Sequence, residues 1–284
     1  MSAEQSLRDG NLDQALKDLQ DQIRKDPASP QHRIFLFQLL SVLGQWDRAL
    51  NQLSVLGEMD PTSLAMVQMY RETLKSEVFR SDVFGGQRSP LIFGEPEEWL
   101  ALLVQALPLT TEAQSAEAQS LRERAFEAAP ATSGTIDGKE FAWISDADPR
   151  LGPTLEAVLN GNYYWIPFHR IRRIVIEEPT DLRDMVWAAA HFEWANGGEA
   201  VGVIPTRYVG SENHENPLVR LSRQTEWQDL GDELFVGFGQ RMIATDIDEF
   251  SLLDIREISL NVELVESADP ADEAPAEATP EGDA

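Results

Sequence analysis

Apolar positions change their spacing partway along the chain. Up to residue 129 they recur at intervals of three and four, the helical period; beyond Gly134 they alternate or fall in short runs, the mark of strands. The helical part repeats itself. Gly10-Asn-Leu-Asp-Gln-Ala-Leu16 returns as Gly44-Gln-Trp-Asp-Arg-Ala-Leu50, and Asp26-Pro27 returns as Asp60-Pro61, both at an offset of 34 residues. That offset is the tetratricopeptide period. Ala15 and Ala49 let paired helices approach closely, while Leu16, Leu19, Leu50, Leu53 and Leu56 fill the seam. Each Asp-Pro stops a helix, because proline lacks an N–H and disfavours a helical residue before it. Residues 31–43 are apolar on most faces, which predicts a buried helix, and residues 62–80 predict a third inner helix. With a short helix before Gly10 this makes about two and a half units, fewer than the three or so that stand alone, so the array is expected to dock on the rest of the chain.

Residues 81–90 then predict a loop. Phe93-Gly94-Glu95-Pro96 leads a helix with Pro96 near its first turn, an apolar face of Trp99, Leu102, Leu103, Ala106 and Leu107, and an end at Pro108. A second helix, over residues 111–129, is rich in Ala and Glu and suits a solvent-facing helix or a connector between domains. Beyond it, strands are predicted at residues 141–145, 163–167, 172–177, 185–195, 200–205, 234–239 and 257–265, with 154–159 a strand or short helix. Asn160-Gly161-Asn162 and Asn196-Gly197-Gly198 are turn signals, the second a hairpin. The fold class is therefore α+β. Tetratricopeptide-like hairpins occupy residues 1–80, a helical connector packed on them 81–130, and a mostly antiparallel, strongly curved or partial-barrel-like β domain 131–265, with an acidic tail over 266–284.

Composition narrows the function. A hydrophobic content of 42% and seven Trp in 284 residues supply sizeable cores. With no cysteine, disulfides, thiolate chemistry and Cys-based zinc sites are excluded. The first residues lack the basic and apolar stretches of a secretory signal, and no apolar run approaches the ~20 residues that cross a bilayer, so the expected location is the cytoplasm. The formal charge is −26; the tail from Glu266 carries seven acids and no base, which leaves most of the excess on the body. Such a surface repels phosphate backbones and anionic membranes, so nucleic acid and membrane are excluded as partners and a basic or apolar protein is favoured. The tail reads as disordered and solvating.

Little of the sequence points to catalysis. His32, His169, His191 and His214 show no metal-ligand spacing, and no phosphate-binding or nucleophile-elbow motif occurs. A glycosidase-type pair among Asp146, Asp148, Glu156, Glu177, Glu178, Asp181, Asp184, Asp246, Asp248 and Glu249 is an alternative, but a chain this acidic supplies such candidates by chance. No cofactor or metal is implied. Arg150, Arg183, Arg207, Arg223 and Arg241 each stand near acids or aromatics and are expected to form buried or half-buried ion pairs with residues such as Asp148, Glu156, Asp184 and Glu226. The aromatics Tyr163, Tyr164, Trp165, Trp187, Trp194, Tyr208 and Trp227 suit a sheet core, with one or two left for a partner.

Several separate motifs carry a likeness to a known family. They are Asp148-Pro149-Arg150, Glu156, Gly161-Asn162-Tyr163-Tyr164-Trp165-Ile166-Pro167, Leu182-Arg183-Asp184, Trp187, Pro205-Thr206-Arg207-Tyr208, Arg223-Gln224-Thr225-Glu226-Trp227 and Gly237-Phe238-Gly239-Gln240-Arg241. In this order they resemble the ImpE (SciE, TagJ) family of type VI secretion accessory proteins, over residues 1 to about 265. The resemblance implies a non-enzymatic adaptor that binds the N-terminal helix of the small contractile-sheath subunit (TssB type) and tunes sheath handling relative to the ATPase ClpV. Helix-in-groove recognition would suit either the concave side of the repeat or the aromatic-rich sheet; the motifs concentrate in the sheet, which makes Tyr164, Trp165, Arg183, Trp187, Arg207, Tyr208, Arg223 and Trp227 the candidate partner-binding residues. A generic repeat scaffold with another partner is the alternative.

Overall fold

The computed structural model describes residues 2–111, 115–231 and 234–263. Its first half is helical: α1 (Ala3–Arg8), α2 (Leu12–Lys25), α3 (Pro30–Val42), α4 (Trp46–Met59) and α5 (Leu64–Phe84). The repeated sequence has local causes. Gly10 and Gly44, at φ +75° and +65°, end α1 and α3, where the left-handed conformation suits glycine. The amides that follow, of Asn11 and Gln45, reach back to the carbonyls of Ser6 and Leu40 at 2.8 and 2.9 Å. Ser29 caps α3, and Ala15 and Ala49 are fully buried at the close approaches. Residues 36–42 of α3 are buried on every face, as its all-round hydrophobicity predicts.

A two-residue strand β1 (Leu91–Ile92) follows, then α6 (Glu98–Thr111) and α7 (Ser115–Ala128). Four expectations are corrected here. The inner helix α5 runs on to Phe84 because Val83 and Phe84 are buried, so the loop begins only at Gly85. Pro96 stands two residues ahead of α6 and not in its first turn. Pro108 does not end α6, which continues to Thr111: a proline removes one backbone bond, and the burial of Ala106 and Leu107 beside it holds the turn. The connector helix α7 is not wholly solvent-facing, since Ala118, Arg122 and Ala125 are buried.

The strands are β2 (Gly134–Ile136), β3 (Lys139–Phe141), β4 (Ile144–Asp146), β5 (Thr154–Leu159), β6 (Asn162–Pro167), β7 (Ile171–Ile176), β8 (Trp187–Trp194), β9 (Glu199–Pro205), β10 (Thr225–Asp229), β11 (Phe235–Gly239), β12 (Met242–Thr245), β13 (Glu249–Ser251) and β14 (Glu257–Leu260). Nine form one open sheet in the order β1-β6-β5-β9-β8-β7-β14-β2-β3, antiparallel except for β1 against β6. No closed barrel forms among the described residues: β4, β12 and β13 make a separate three-stranded sheet, and β10 and β11 a ribbon of their own. The predicted strand at 257–265 keeps its regular part only to Leu260; residues 264 and 265, and the tail, lie outside the described residues. β5 and β6 join through Asn160 and Gly161, at φ +49° and +78°, the pattern of a two-residue hairpin turn.

Pleating sorts the sheet's side chains between two cores. Leu155, Ala157, Leu159, Ile166, Ala188, Ala190, Phe192 and Ile204 pack away from the helices, together with Ile144, Ile243 and Leu252 of the smaller sheet region. Val158, Tyr163, Trp165, Trp187 and Val203 share one continuous core with α2 to α6. The array docks, as its incomplete repeat requires. Its inner helices α3 and α5 face the turn at residues 182–185 and strand β6, so this side of the array is filled by the chain's own sheet.

Candidate functional site

The motif residues converge on the junction between α5 and the helix-facing side of the sheet. Glu156, fully buried on β5, is the hub. Arg80 of α5 reaches it with two donors, Nε at 2.6 Å and Nη2 at 2.9 Å, and also donates to the carbonyl of Arg207 at 3.0 Å. Arg241 pairs with Glu156 Oε2, the oxygen that Arg80 Nη2 also reaches, and the Tyr163 hydroxyl donates to Oε1. Trp165 Nε1 then donates to that hydroxyl at 2.7 Å, and Trp187 Nε1 to Glu77 of α5 at 2.8 Å. A second carboxylate pair extends the network: Asp146 lies 3.5 Å from Arg241 and accepts from the Tyr208 hydroxyl at 3.2 Å. Asp148 takes Arg150 at 2.6 Å and the Gly237 amide at 3.1 Å.

Burial dominates the electrostatics. It pushes the Asp146 carboxyl up to about 7 against the opposing pull of Arg241, and draws Arg241 down to about 10 against the carboxylates beside it. The same cause raises the hydroxyls of Tyr163 and Tyr208, which therefore stay protonated as donors. A buried set of charges like this is held by mutual pairing; removing one partner strands the others.

Of the eight residues expected to meet a partner, four lie inside the chain: Trp165, Trp187, Arg207 and Tyr208 are buried. Arg207 departs from the expected ion pairs, since it pairs with no acid among the described residues. Its guanidinium donates to Ser41 O (2.9 Å), Val42 O (2.8 Å) and Arg220 O (2.6 Å), taking up carbonyls at the end of α3, where a cation is favoured. Tyr164 is half-buried against Phe93. Arg183 is half-buried, held by Asp181 at 2.6 Å and Asp184 at 3.7 Å, with its guanidinium over Tyr70. Arg150, Arg183 and Arg241 thus form the expected pairs; exposed Arg223 forms none among the described residues, and half-buried Glu226 goes to Asn216 and His214 instead. Trp227 keeps 38% of its surface while its ring packs on Tyr208 at 5.5 Å.

Glu77 and Arg80 went unforeseen. Their signal is a pair of charges sitting where the buried stripe Val67, Tyr70, Leu74 and Phe84 of α5 should continue apolar. Among the described residues no group of three or more His, Asp or Glu could hold a metal ion, and no helix is long and apolar enough to cross a membrane.

A tetratricopeptide-type array locked by a buried ionic junction onto an antiparallel sheet is the class of molecule these features define. Comparison with known proteins gives the family. The ImpE protein family matches residues 138–259, and a tetratricopeptide repeat family matches residues 6–72. The type VI secretion system accessory component TagJ of Pseudomonas aeruginosa is 49% identical over 258 residues, covering 91% of this chain and 90% of that protein. A crystal structure of a Vibrio parahaemolyticus protein superposes with a TM-score of 0.84 at 26% identity, over 92% of this chain and 98% of the other. The chain belongs to the ImpE family of type VI secretion accessory proteins.

Proposed function

We propose that this protein is a non-enzymatic adaptor of type VI secretion, working in the cytoplasm. It binds the amphipathic N-terminal helix of the small contractile-sheath subunit, and so sets how the sheath is handled relative to the ClpV ATPase. The observation that carries the reading is the full-length likeness to an accessory component of that system. Two physical features support it. The body is strongly acidic, which favours a partner helix with a basic rim. The inner side of the helical array, where repeat proteins often take peptides, packs on the chain's own sheet and the turn before β8, which favours a seat for the partner on the outer surface of the C-terminal part.

The test is a fluorescence-anisotropy titration of a labelled N-terminal peptide of the cognate sheath subunit onto the intact chain. Saturable binding that weakens between about 50 and 300 mM salt is the expected result, because exposed charges are screened over ~10 Å at 0.1 M. Absence of binding by a folded chain would sink the reading, and binding indifferent to salt would remove its electrostatic part.

A further inference from the structure

We propose that the free half of the β10–β11 ribbon is the seat of a cationic amphipathic helix. This ribbon belongs to neither larger sheet, and two strands alone are marginally stable in water. Its base is nonetheless pinned. Asp148 accepts from the Gly237 amide, Ser211 Oγ accepts from the Gly239 amide at 2.7 Å, and Thr225 Oγ1 donates to Gln240 O at 2.7 Å. Gly237 is required where it stands, because a Cβ there would come within 2.3 Å of the Tyr208 ring. The base is therefore rigid, and the far half is presented ready-made.

That far half is apolar on its surface. Trp227 pairs with Gly237 and Phe235 with Asp229, so the two aromatics lie on one face as diagonal neighbours. Their exposures are 38% and 49%, and Leu230 beside the turn is 46% exposed. Trp227 is partly ordered in advance by its contact with Tyr208, the arrangement that makes a tryptophan an interface anchor at low entropic cost.

Charge selects the occupant. Along the described residues of the ribbon, Thr225–Asp229 and Phe235–Gly239, stand two acids, Glu226 and Asp229, and no base. An anionic lipid surface is repelled, and a second copy of this chain would bring the same acids against themselves. A helix whose apolar stripe is flanked by Lys and Arg matches both the strip and its border. A groove between α5 and β6, with exposed Val78 and Leu91, is bordered by Glu72, Asp82, Lys75 and Arg88, charges of both signs that select nothing.

This seat deepens the sheath-helix reading and, for its natural ligand, rests on it. Two labelled peptides are therefore titrated onto the intact chain: the N-terminal peptide of the cognate sheath subunit, and a designed Leu/Lys amphipathic helix of no biological origin. Trp227→Ala and Phe235→Ser should each weaken whichever peptide binds by about tenfold or more. The paired change Glu226→Gln with Asp229→Asn should weaken it and flatten its salt dependence, and Leu91→Ser should leave it unchanged. Phe235→Ser, at the half-exposed far end, guards against a loss caused by unfolding, which an unaltered melting curve checks. Unchanged affinity in both ribbon variants overturns the seat while leaving the sheath reading intact. Loss for the designed helix alone, with no sheath-peptide binding, keeps the seat and sinks the sheath reading. Failure of both peptides to bind the folded chain overturns the seat.

Discussion

Replacing Glu156 with alanine is expected to cost the fold about 3–5 kcal/mol, the usual penalty for leaving a buried charge without its partner. Here the substitution removes the nearest anion of two cations at once, leaving Arg80 only Glu77 and Arg241 only Asp146, each at 3.5 Å. Arg80 and Arg241 both point at this carboxylate from opposite elements, and neither reaches water. Small proteins are stable by only ~5–15 kcal/mol, so the variant should be partly unfolded at 37 °C or recovered in inclusion bodies. Urea unfolding of the purified variant measures it. The contrast is Arg223→Ala, an exposed member of the same motif set, expected within about 0.5 kcal/mol of wild type. Equal, small effects at both positions would show that the junction contributes nothing to stability.

Cutting the chain near residue 130 should leave neither piece folded. The fragment 131–284 would bring Val158, Tyr163, Trp165, Trp187 and Val203 into water, since these side chains are buried against the helices. At about 1.5–3 kcal/mol each, five such side chains match the whole stability of an ordinary domain. The fragment would also lose β1 from the sheet edge and Arg80 from Glu156. A broad, weakly cooperative urea transition with lost near-ultraviolet dichroism is expected. A sharp transition in the isolated fragment would show that the shared core is dispensable.

These two results bear on what was legible in the sequence. The helical repeat was, because each of its parts obeys a local rule: Gly10 and Gly44 end helices, Ala15 and Ala49 permit close approach, and Asp-Pro punctuates. Long strands such as β8 and the Asn160-Gly161 turn were legible for the same reason. Several short strands were not. β2, β10, β12 and β13, of three to five residues, are too brief to show a period, although Asp137-Gly138, at φ +47° and +80°, marks the β2–β3 hairpin.

The junction is the deeper case. Arg80 meets Glu156 across 76 residues of sequence, a pairing fixed by docking and by no spacing rule. Hence the motif residues are visible as a group, while no spacing rule shows that Trp165, Trp187, Arg207 and Tyr208 face inward. Trp227, set on a two-stranded ribbon with only its base covered, is the aromatic of the expected set left most open.

The motif residues mostly build an internal lock, and the recognition we propose lies outside it on the acidic ribbon. Amide hydrogen exchange of the intact chain, with and without saturating sheath-subunit peptide, tests this most directly. Slower exchange on peptide binding is expected in residues 225–239, with α3 and α5 unchanged. Protection confined to the helical array, or absent altogether at saturating peptide, would contradict it.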